Sequence, residues 1–323
     1  MPAHPDRPRD VQVSWYICTK AGAFITLRKW EKPMELFFTT LINGLSLGGI
    51  YAMIALGYTM VYGIAKLLNF AHGDIIMVGG YILYAVMATN MPLAALLAAV
   101  VGCVVLGILI EKTAYKPLRG ASPLAVLITA IGVSYLLQSL AQIIFGSAPK
   151  MVIIFDLGSI RILGAPVQVS SLVTLAVTVA VMVGLTLFVK CTRIGRAMIA
   201  VSEDSGAAQL MGINVNSIIT ITFAIGSALA ALAGLFFLMK APNVSSTMGA
   251  MPGIKAFTAA VIGGIGSIPG AMLGGILLGM IETVSYKIAP LAPYTDAIEF
   301  SILILILLVR PSGFLGKKRR EKV

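Results

Sequence analysis

Six long stretches of this chain contain no Asp, Glu, Lys or Arg: Leu36–Ala65, Ile75–Ile110, Ala121–Pro149, Ile162–Val189, Val215–Met239 and Ala256–Ile281. A hydrocarbon layer about 30 Å thick is crossed by roughly 20 apolar residues rising 1.5 Å each. Each stretch is therefore long enough to cross once. A water-soluble fold has too little interior to hide so much unbroken apolar surface, and in lipid a helix satisfies its own backbone polar groups. The chain reads as an all-α, polytopic helical transmembrane protein of about eight to ten spans. Its 58% hydrophobic and 11% charged residues exclude a disordered chain or a coiled coil.

Polar and turn-forming residues set the boundaries. Span one is Leu36–Tyr62, and span two, Phe70–Ala88, closes on the turn Thr89-Asn90-Met91-Pro92. Span three, Leu93–Ile110, ends at Glu111-Lys112, and span four is Leu124–Phe145. A polar stretch with Lys150, Asp156 and Arg161 leads to span five, Val169–Val189; span six is Val215–Met239 and the last span is Thr295–Val309. The segment Ile254–Ile265 is too short to cross as a straight helix, meets Gly266-Ser267-Ile268-Pro269-Gly270, and continues as Ala271–Tyr286. Gly and Pro at that depth are tolerated only where protein or a cavity re-satisfies the backbone, so this part predicts one broken or re-entrant segment.

The net charge of +11 raises nucleic-acid binding, and its location dismisses it. The basic residues sit in short loops and in the tail Lys317, Lys318, Arg319, Arg320 and Lys322, the distribution that the positive-inside rule leaves at a cytoplasmic face. With that C-terminus inside, counting back puts Lys66 and the loops 111–120 and 190–214 inside as well, and Met34 outside after nine crossings. Arg28, Lys29 and Lys32 argue for the opposite N-terminus and a tenth crossing hidden within 36–65. Residues 1–33, with Pro2, Pro5 and Pro8, read as a disordered extension that lacks the order of a signal peptide, and translation starting at Met34 would remove the conflict. The chain thus divides into an extension (1–33), a membrane domain (34–314) and a basic tail (315–323). Three widely spaced cysteines, Cys18, Cys103 and Cys191, give no disulfide framework and no metal spacing.

The connection Lys190–Asn214 is the most informative polar segment. Ser202 followed by Glu203 and Asp204 resembles a helix N-cap with first-turn carboxylates. Gly206 is a costly helix-interior residue that can separate two short helices, and Gly212 can close the second. A short capped amphipathic helix there offers a handle to a second protein; an ordinary solvated loop is the plainer alternative.

Asn69, His72 and Asp74 form the sharpest polar cluster, at the start of span two. They fit an interfacial cap, with Asn69 or His72 bonding free amides and Asp74 offsetting the helix dipole. They also fit a gate or helix anchor, or solute contact. Two histidines, His4 and His72, leave no zinc cluster and no repeated Ser-His-Asp set, so no catalytic residue, metal or cofactor is expected. Gln138 and Gln142 share a helix face and, with Asn43, Thr129, Ser134 and Ser227, suit interhelical hydrogen bonds. Glu282 and Glu299 are costlier in a membrane and flank the loop with Lys287, which suggests an interface. Gly44-x-x-x-Gly48, Gly226-x-x-x-Ala230-x-x-x-Gly234, Gly270-x-x-x-Gly274 and Gly275-x-x-x-Gly279 predict close helix crossings. The interrupted, unhindered backbone of Gly263 to Gly270 is the best candidate for a mobile constriction.

Three motifs together resemble a known family. Gly195-Arg196-Ala197-Met198 with Glu203-Asp204-Ser205-Gly206-Ala207-Ala208-Gln209-Leu210-Met211-Gly212-Ile213 looks like the loop by which ABC-importer permeases engage their ATPase. With Asn69-Phe70-Ala71-His72-Gly73-Asp74 and Gly263-Gly264-Ile265-Gly266-Ser267-Ile268-Pro269-Gly270, the chain is similar, from about Met34 to Phe314, to branched-chain amino acid permeases of the LivH type. Residues 1–33 depart from that pattern. The resemblance implies a second permease subunit, two ATP-binding subunits and an extracytoplasmic solute-binding protein, all at an inner membrane. It makes Arg196, Glu203, Asp204, Gly206, Ala207 and Gly212 the ATPase-coupling residues, and Asn69, His72, Asp74, Gly263, Gly264, Gly266 and Pro269 candidates for a gate or pathway. No Gly-x-x-x-x-Gly-Lys-Ser/Thr occurs in the chain, so any ATP is bound by a partner. An apolar path with few charges suits an aliphatic amino acid and nearly as well urea or a short amide. A proton-coupled secondary transporter or channel using Asp74, Glu282 or Glu299 is the alternative from another class.

Overall fold

The computed structural model describes residues 33–67, 69–89, 91–155, 157–162 and 165–316. The expectations placed on the N-terminal extension, on Asp156 and on the basic tail from 317 onward lie outside the described residues. Eleven α-helices make up most of the rest: α1 Pro33–Ala65, α2 His72–Met87, α3 Pro92–Ile110, α4 Pro123–Phe145, α5 Val169–Cys191, α6 Arg193–Glu203, α7 Ser205–Leu210, α8 Val215–Lys240, α9 Ala250–Gly263, α10 Ile268–Lys287 and α11 Thr295–Val309. Among the described residues seven helices are long and apolar enough to cross a membrane, and α2 and α9 are shorter apolar helices. The polar stretch after α4 folds into short strands. β2 (Ser159–Ile162) pairs antiparallel with β3 (Ala165–Gln168), and β1 (Lys150–Met151) pairs with β4 (Asn243–Val244) ahead of α9.

The first helix is the axis of the bundle. It packs against α5, α8, α9 and α10, and Ile50 to Leu56 are fully buried or nearly so. It is one uninterrupted helix, so no tenth crossing is hidden within 36–65. The outer helices behave oppositely. On α3 the exposed residues Leu93, Leu97, Val101, Val105 and Leu109 recur every four positions, one stripe of a helix turned away from the bundle. Such a stripe of large aliphatic side chains is the face a lipid-exposed helix presents.

Between the inner helices, glycine sets the distances. A Cβ added at Gly279 would lie 2.1 Å from the Gly48 amide nitrogen, and one at Gly275 2.4 Å from the Ala52 amide nitrogen and Cα. Backbone meets backbone at this α1–α10 crossing. Of the other predicted crossings, Gly274 against the Ala259 carbonyl and Gly270 against Gly263 are as close, an added Cβ falling at 2.0 and 2.3 Å, whereas at Gly234 it would lie 3.2 Å from Ile76 and at Gly226 3.6 Å from Gly57. Without a hydrophobic driving force between helices in lipid, such close approach is what dispersion needs.

The two ends of the bundle separate as the loop charges predict. Arg119 donates to Asn216, Gly264 abuts Gly316, and Gly63 approaches Gly266. Lys66 and Arg119 line the same groove as Glu203. Loops after α1, α3, α5, α9 and α11 thus share one end. At the other end β1 meets β4, and the Lys240 ammonium donates to the Asn43 carbonyl at 3.3 Å.

Candidate functional site

At the first of these ends the α5–α8 connection folds into two short helices at nearly every point by side-chain capping. Thr192 accepts from the Gly195 amide at 3.0 Å and starts α6. Asp204 then breaks the helix with extended backbone (φ −151°, ψ 107°) and accepts from the Gly206 and Ala207 amides at 2.9 and 3.0 Å. The cap is therefore Asp204, whereas Ser202 turns its hydroxyl back to the Ile199 carbonyl at 2.7 Å. Gly206 lies inside α7 and does not separate the helices. Mid-helix Ser can return its proton to its own helix, and the carboxylate is the stronger acceptor for two amides. Gly212 does close α7, at φ +81°, a conformation open to glycine at little cost.

Beyond that cap, Leu210 and Met211 are 90% and 83% exposed, at the tip of the hairpin. Arg196, Glu203, Asp204 and Gly206 are likewise exposed. Between the hairpin and the bundle runs a groove of about 690 Å³ whose walls include Lys66, Arg119, Glu203, Asp204 and Asn214.

Below the groove lies a network that sequence reasoning missed. The continuation of α3 is a π-helical turn, Glu111–Tyr115. It buries Glu111 completely, where Arg119 pairs with it and the Thr220 hydroxyl donates to it at 2.8 Å. The wider turn also aims Tyr115 inward, and its hydroxyl donates to Asn69 Oδ1 at 2.8 Å. A Glu and an Arg eight residues apart on either side of a short loop were the available signal.

The second cluster is brought together, but in different roles from those a cap would give. Asn69, His72 and Asp74 are all buried, and no side chain caps α2. Instead Asn69 is engaged by Tyr115, and Asp74 accepts from Gln138 Nε2 at 2.9 Å. The His72 ring packs edge-on against Tyr58, with centroids 4.8 Å apart, and fills the notch left by Gly57. Gln142 bonds Ser246, in the turn between β4 and α9, at 3.1 Å, so of the two glutamines Gln138 makes the interhelical bond expected and Gln142 ties its helix to a loop.

The third motif is a broken helix, as predicted, with shifted limits. α9 begins at Ala250 and ends at Gly263, and α10 begins at Ile268, with Pro269 in its first turn and Ser267 Oγ accepting from the Gly270 amide at 3.2 Å. Gly264 and Gly266 take φ +106° and +91°. The carbonyls freed at the end of α9 are met by a distant segment. The Phe314 and Leu315 amides donate to Ile262 and Gly263, both at 2.9 Å.

Beside the α1–α10 crossing a second charged network escaped notice. Lys255, near the start of α9, lies 3.1 Å from Glu282, 2.9 Å from Asp296 and 3.3 Å from Glu299. Tyr51 adds a 2.6 Å hydrogen bond to Glu282. Glu282 and Glu299 are thus buried partners of one lysine, where an interfacial position was expected. The lone Lys beside a charge-free run, with two carboxylates in later spans, was the signal.

The family model for the branched-chain amino acid transport system permease component matches residues 40–307. The chain is 44% identical over 302 residues to the high-affinity branched-chain amino acid transport system permease protein BraD of Pseudomonas aeruginosa, covering 89% of this chain and 98% of that one. It is 41% identical, with the same coverage, to LivH of Escherichia coli, a protein with the same description. A more distant similarity, 25% identity over 86% of each chain, links it to the ribose import permease RbsC of Haemophilus influenzae. On a match that spans nearly all of its helices, the chain belongs to the family of branched-chain amino acid transport permease components.

Proposed function

We propose that this chain is the membrane-spanning subunit of an ABC importer that carries branched-chain amino acids across a cell inner membrane. It works beside a second permease subunit, two ATPase subunits and an extracytoplasmic solute-binding protein, with its C-terminus in the cytoplasm. The relatives' substrate supports the cargo. The observation that carries the coupling role is the capped α6–α7 hairpin, which holds two large apolar residues in solvent at the end of the bundle where the basic loops gather. Exposed apolar residues on a rigid capped tip are what a docking helix needs, because their burial drives association and the cap transmits force.

In this reading Arg196, Glu203, Asp204, Gly206, Ala207 and Gly212 form or shape the docking surface, and the chain itself is non-catalytic. Closure of the ATPase pair pushes on α6–α7, and the groove beneath passes the displacement to the α1–α2 link at Lys66. The test is to copurify the tagged chain in mild detergent, identify the attached chains, and reconstitute the assembly in vesicles with ATP inside. Leucine uptake that depends on ATP and on the binding protein is the expected result. Uptake by the chain alone, collapsing with the proton gradient, would overturn it. Uptake of urea in preference to leucine would overturn the cargo and leave the coupling standing.

A further inference from the structure

At the end of the bundle away from α6 and α7, a cavity of about 500 Å³ opens beside the β2–β3 hairpin, lined by Asn43, Ser159, Pro166, Gln168, Ser171 and Lys240. Its depth follows from helix lengths. Asn43 lies 22 residues before the end of α1, Ser171 lies 20 before the end of α5, and Lys240 lies 25 after the start of α8. At 1.5 Å per residue all three stand about 30–38 Å from the coupling end, where a hydrocarbon layer about 30 Å thick gives way to headgroups.

The hairpin brings a second cation to this level. Ser159 pairs with Gln168 and Arg161 with Pro166, and directly opposed residues, like residues two apart in one strand, share a face of the ribbon. That face carries the cavity's Ser159, Pro166 and Gln168, so Arg161 stands on it as well. Ala165 and Val167, on the other face, are buried, where β3 packs on α1.

The lining is made of donors. The Ser171 hydroxyl donates to Asn43 Oδ1 at 3.1 Å, which leaves Asn43 Nδ2 to donate in turn. A lysine at the end of a span ordinarily carries its ammonium out to water. Lys240 is instead half-buried and turns inward, donating to the Asn43 carbonyl at 3.3 Å, and two of its three N–H groups remain for a ligand. Among the described residues no carboxylate lines the cavity. Glu282, whose charge reaches Lys240, is already held by Lys255 at 3.1 Å and by Tyr51 at 2.6 Å. Along the helix that supplies Ser171, Val173, Val179, Val183 and Leu187 are exposed, and a Cβ added at Gly184 would meet nothing within 4 Å. Two cations with amide and hydroxyl donors suit a phosphate oxyanion. Placed at headgroup level, at the head of a helix with an open aliphatic face, that oxyanion is the phosphate of a lipid.

We propose that this cavity binds the phosphate of an anionic phospholipid. Lys240 and Arg161 are its cations, Asn43, Ser159 and Gln168 its further donors, and the acyl chains lie along the outward face of α5. The bound lipid ties the hairpin to the ends of α1, α5 and α8. The site is independent of what the chain carries across the membrane.

The test uses the full chain, copurified with its partners in detergent, stripped of lipid and given phosphatidylglycerol or phosphatidylcholine with the same acyl chains. Retained lipid is counted by native mass spectrometry. Phosphatidylglycerol is expected to be held about thirtyfold more tightly, as for two cations on a net negative headgroup. Arg161 is exposed, so Arg161→Gln folds, and it should lower that preference about fivefold. Arg161→Gln with Lys240→Met should bring it within about twofold of none, whereas Lys150→Gln with Lys287→Gln, which removes as much charge, should leave it unchanged. Equal retention of the two lipids, or the same loss in both double variants, would overturn the proposal. Millimolar inorganic phosphate should fail to displace the lipid; full displacement would make the cavity a site for free phosphate and reject the lipid. Unchanged lipid retention in Arg161→Gln with Lys240→Met, together with lost binding of a solute-binding protein, would make it a protein-docking surface instead.

Discussion

Replacing Lys255 with Met tests whether its charged network holds the broken helix in place. The ammonium serves three carboxylates, but they are not equal. Glu299 is fully buried and Glu282 has 10% of its side chain exposed, whereas Asp296 is 51% exposed. The Asp296 bridge, though the shortest, is screened by solvent and contributes under about 1 kcal/mol. Removing the partner of a buried carboxylate costs about 3–5 kcal/mol, because the charge left behind has neither water nor a counterion. Lys255→Met should therefore destabilise by about 3–5 kcal/mol, lowering the melting temperature of the detergent-solubilised assembly by roughly 5–10 °C. The decisive arm is Lys255→Met with Glu299→Gln, which removes the stranded charge with the lysine. It should recover about 1–3 kcal/mol of the loss. Asp296→Asn should shift the melting temperature by less than about 2 °C. If the double variant is no better than the sum of its singles, the network is not a coupled buried cluster and the reasoning fails.

Three further outcomes follow from single contacts. Gly279→Ala drives a Cβ to within 2.1 Å of the Gly48 backbone and should cost about 1–3 kcal/mol, while Gly132→Ala, with nothing within 4 Å, should be neutral or stabilise by up to about 1 kcal/mol; thermal unfolding of the two variants reversing that order would refute the packing account. Asp204→Ala removes the acceptor of two amides and should weaken α7 by about 0.5–2 kcal/mol, read as faster amide exchange at residues 205–210 and less copurified ATPase, and unchanged exchange would show that the cap is idle. Arg119→Met strands the buried Glu111 and should destabilise by about 3–5 kcal/mol, with Glu111→Gln in the same chain restoring part of the loss; a neutral single variant would count against the ion pair.

Spans and breaks were legible because each rests on composition over many residues. A run without charge registers as a helix wherever its partners lie, and Thr295–Val309 was read to the residue. Gly212 and the Gly264–Gly266 break were legible for a local reason, since both need a backbone that glycine supplies. Pairings between distant residues were not. Nothing local to Asn69 distinguishes a helix cap from an acceptor for Tyr115, forty-six positions on. In sequence Ser202 reads as the cap and Asp204 as a first-turn carboxylate, and only the break in backbone at Asp204 makes the carboxylate the cap. Gly264 looked like a free hinge, yet the described tail packs on it so closely that a Cβ there would lie 2.3 Å from the Gly316 amide. Gly264→Val therefore tests the tail contact before it tests any gate.

The arrangement of these contacts follows from what lipid withholds. In water, burying Leu93, Leu97 or Val101 would itself drive helix association; in a bilayer those side chains are equally well solvated on the outside, and α3 leaves them there. Association has to come from close dispersion contact and from polar pairs. The inner helices combine those two means, with Gly48, Gly275 and Gly279 packed backbone to backbone, the Lys255 network joined to the same crossing through Tyr51 and Glu282, and Glu111 paired with Arg119 at the end where the basic loops gather. Each means has its own failure. Small-residue contacts have no slack for an added methyl, and charge networks have none for a lost partner, while the outward stripe of α3 can exchange one aliphatic residue for another. Tolerance to substitution in this chain should therefore be highest on its most hydrophobic face and lowest where its residues are smallest, the reverse of what a soluble core would teach.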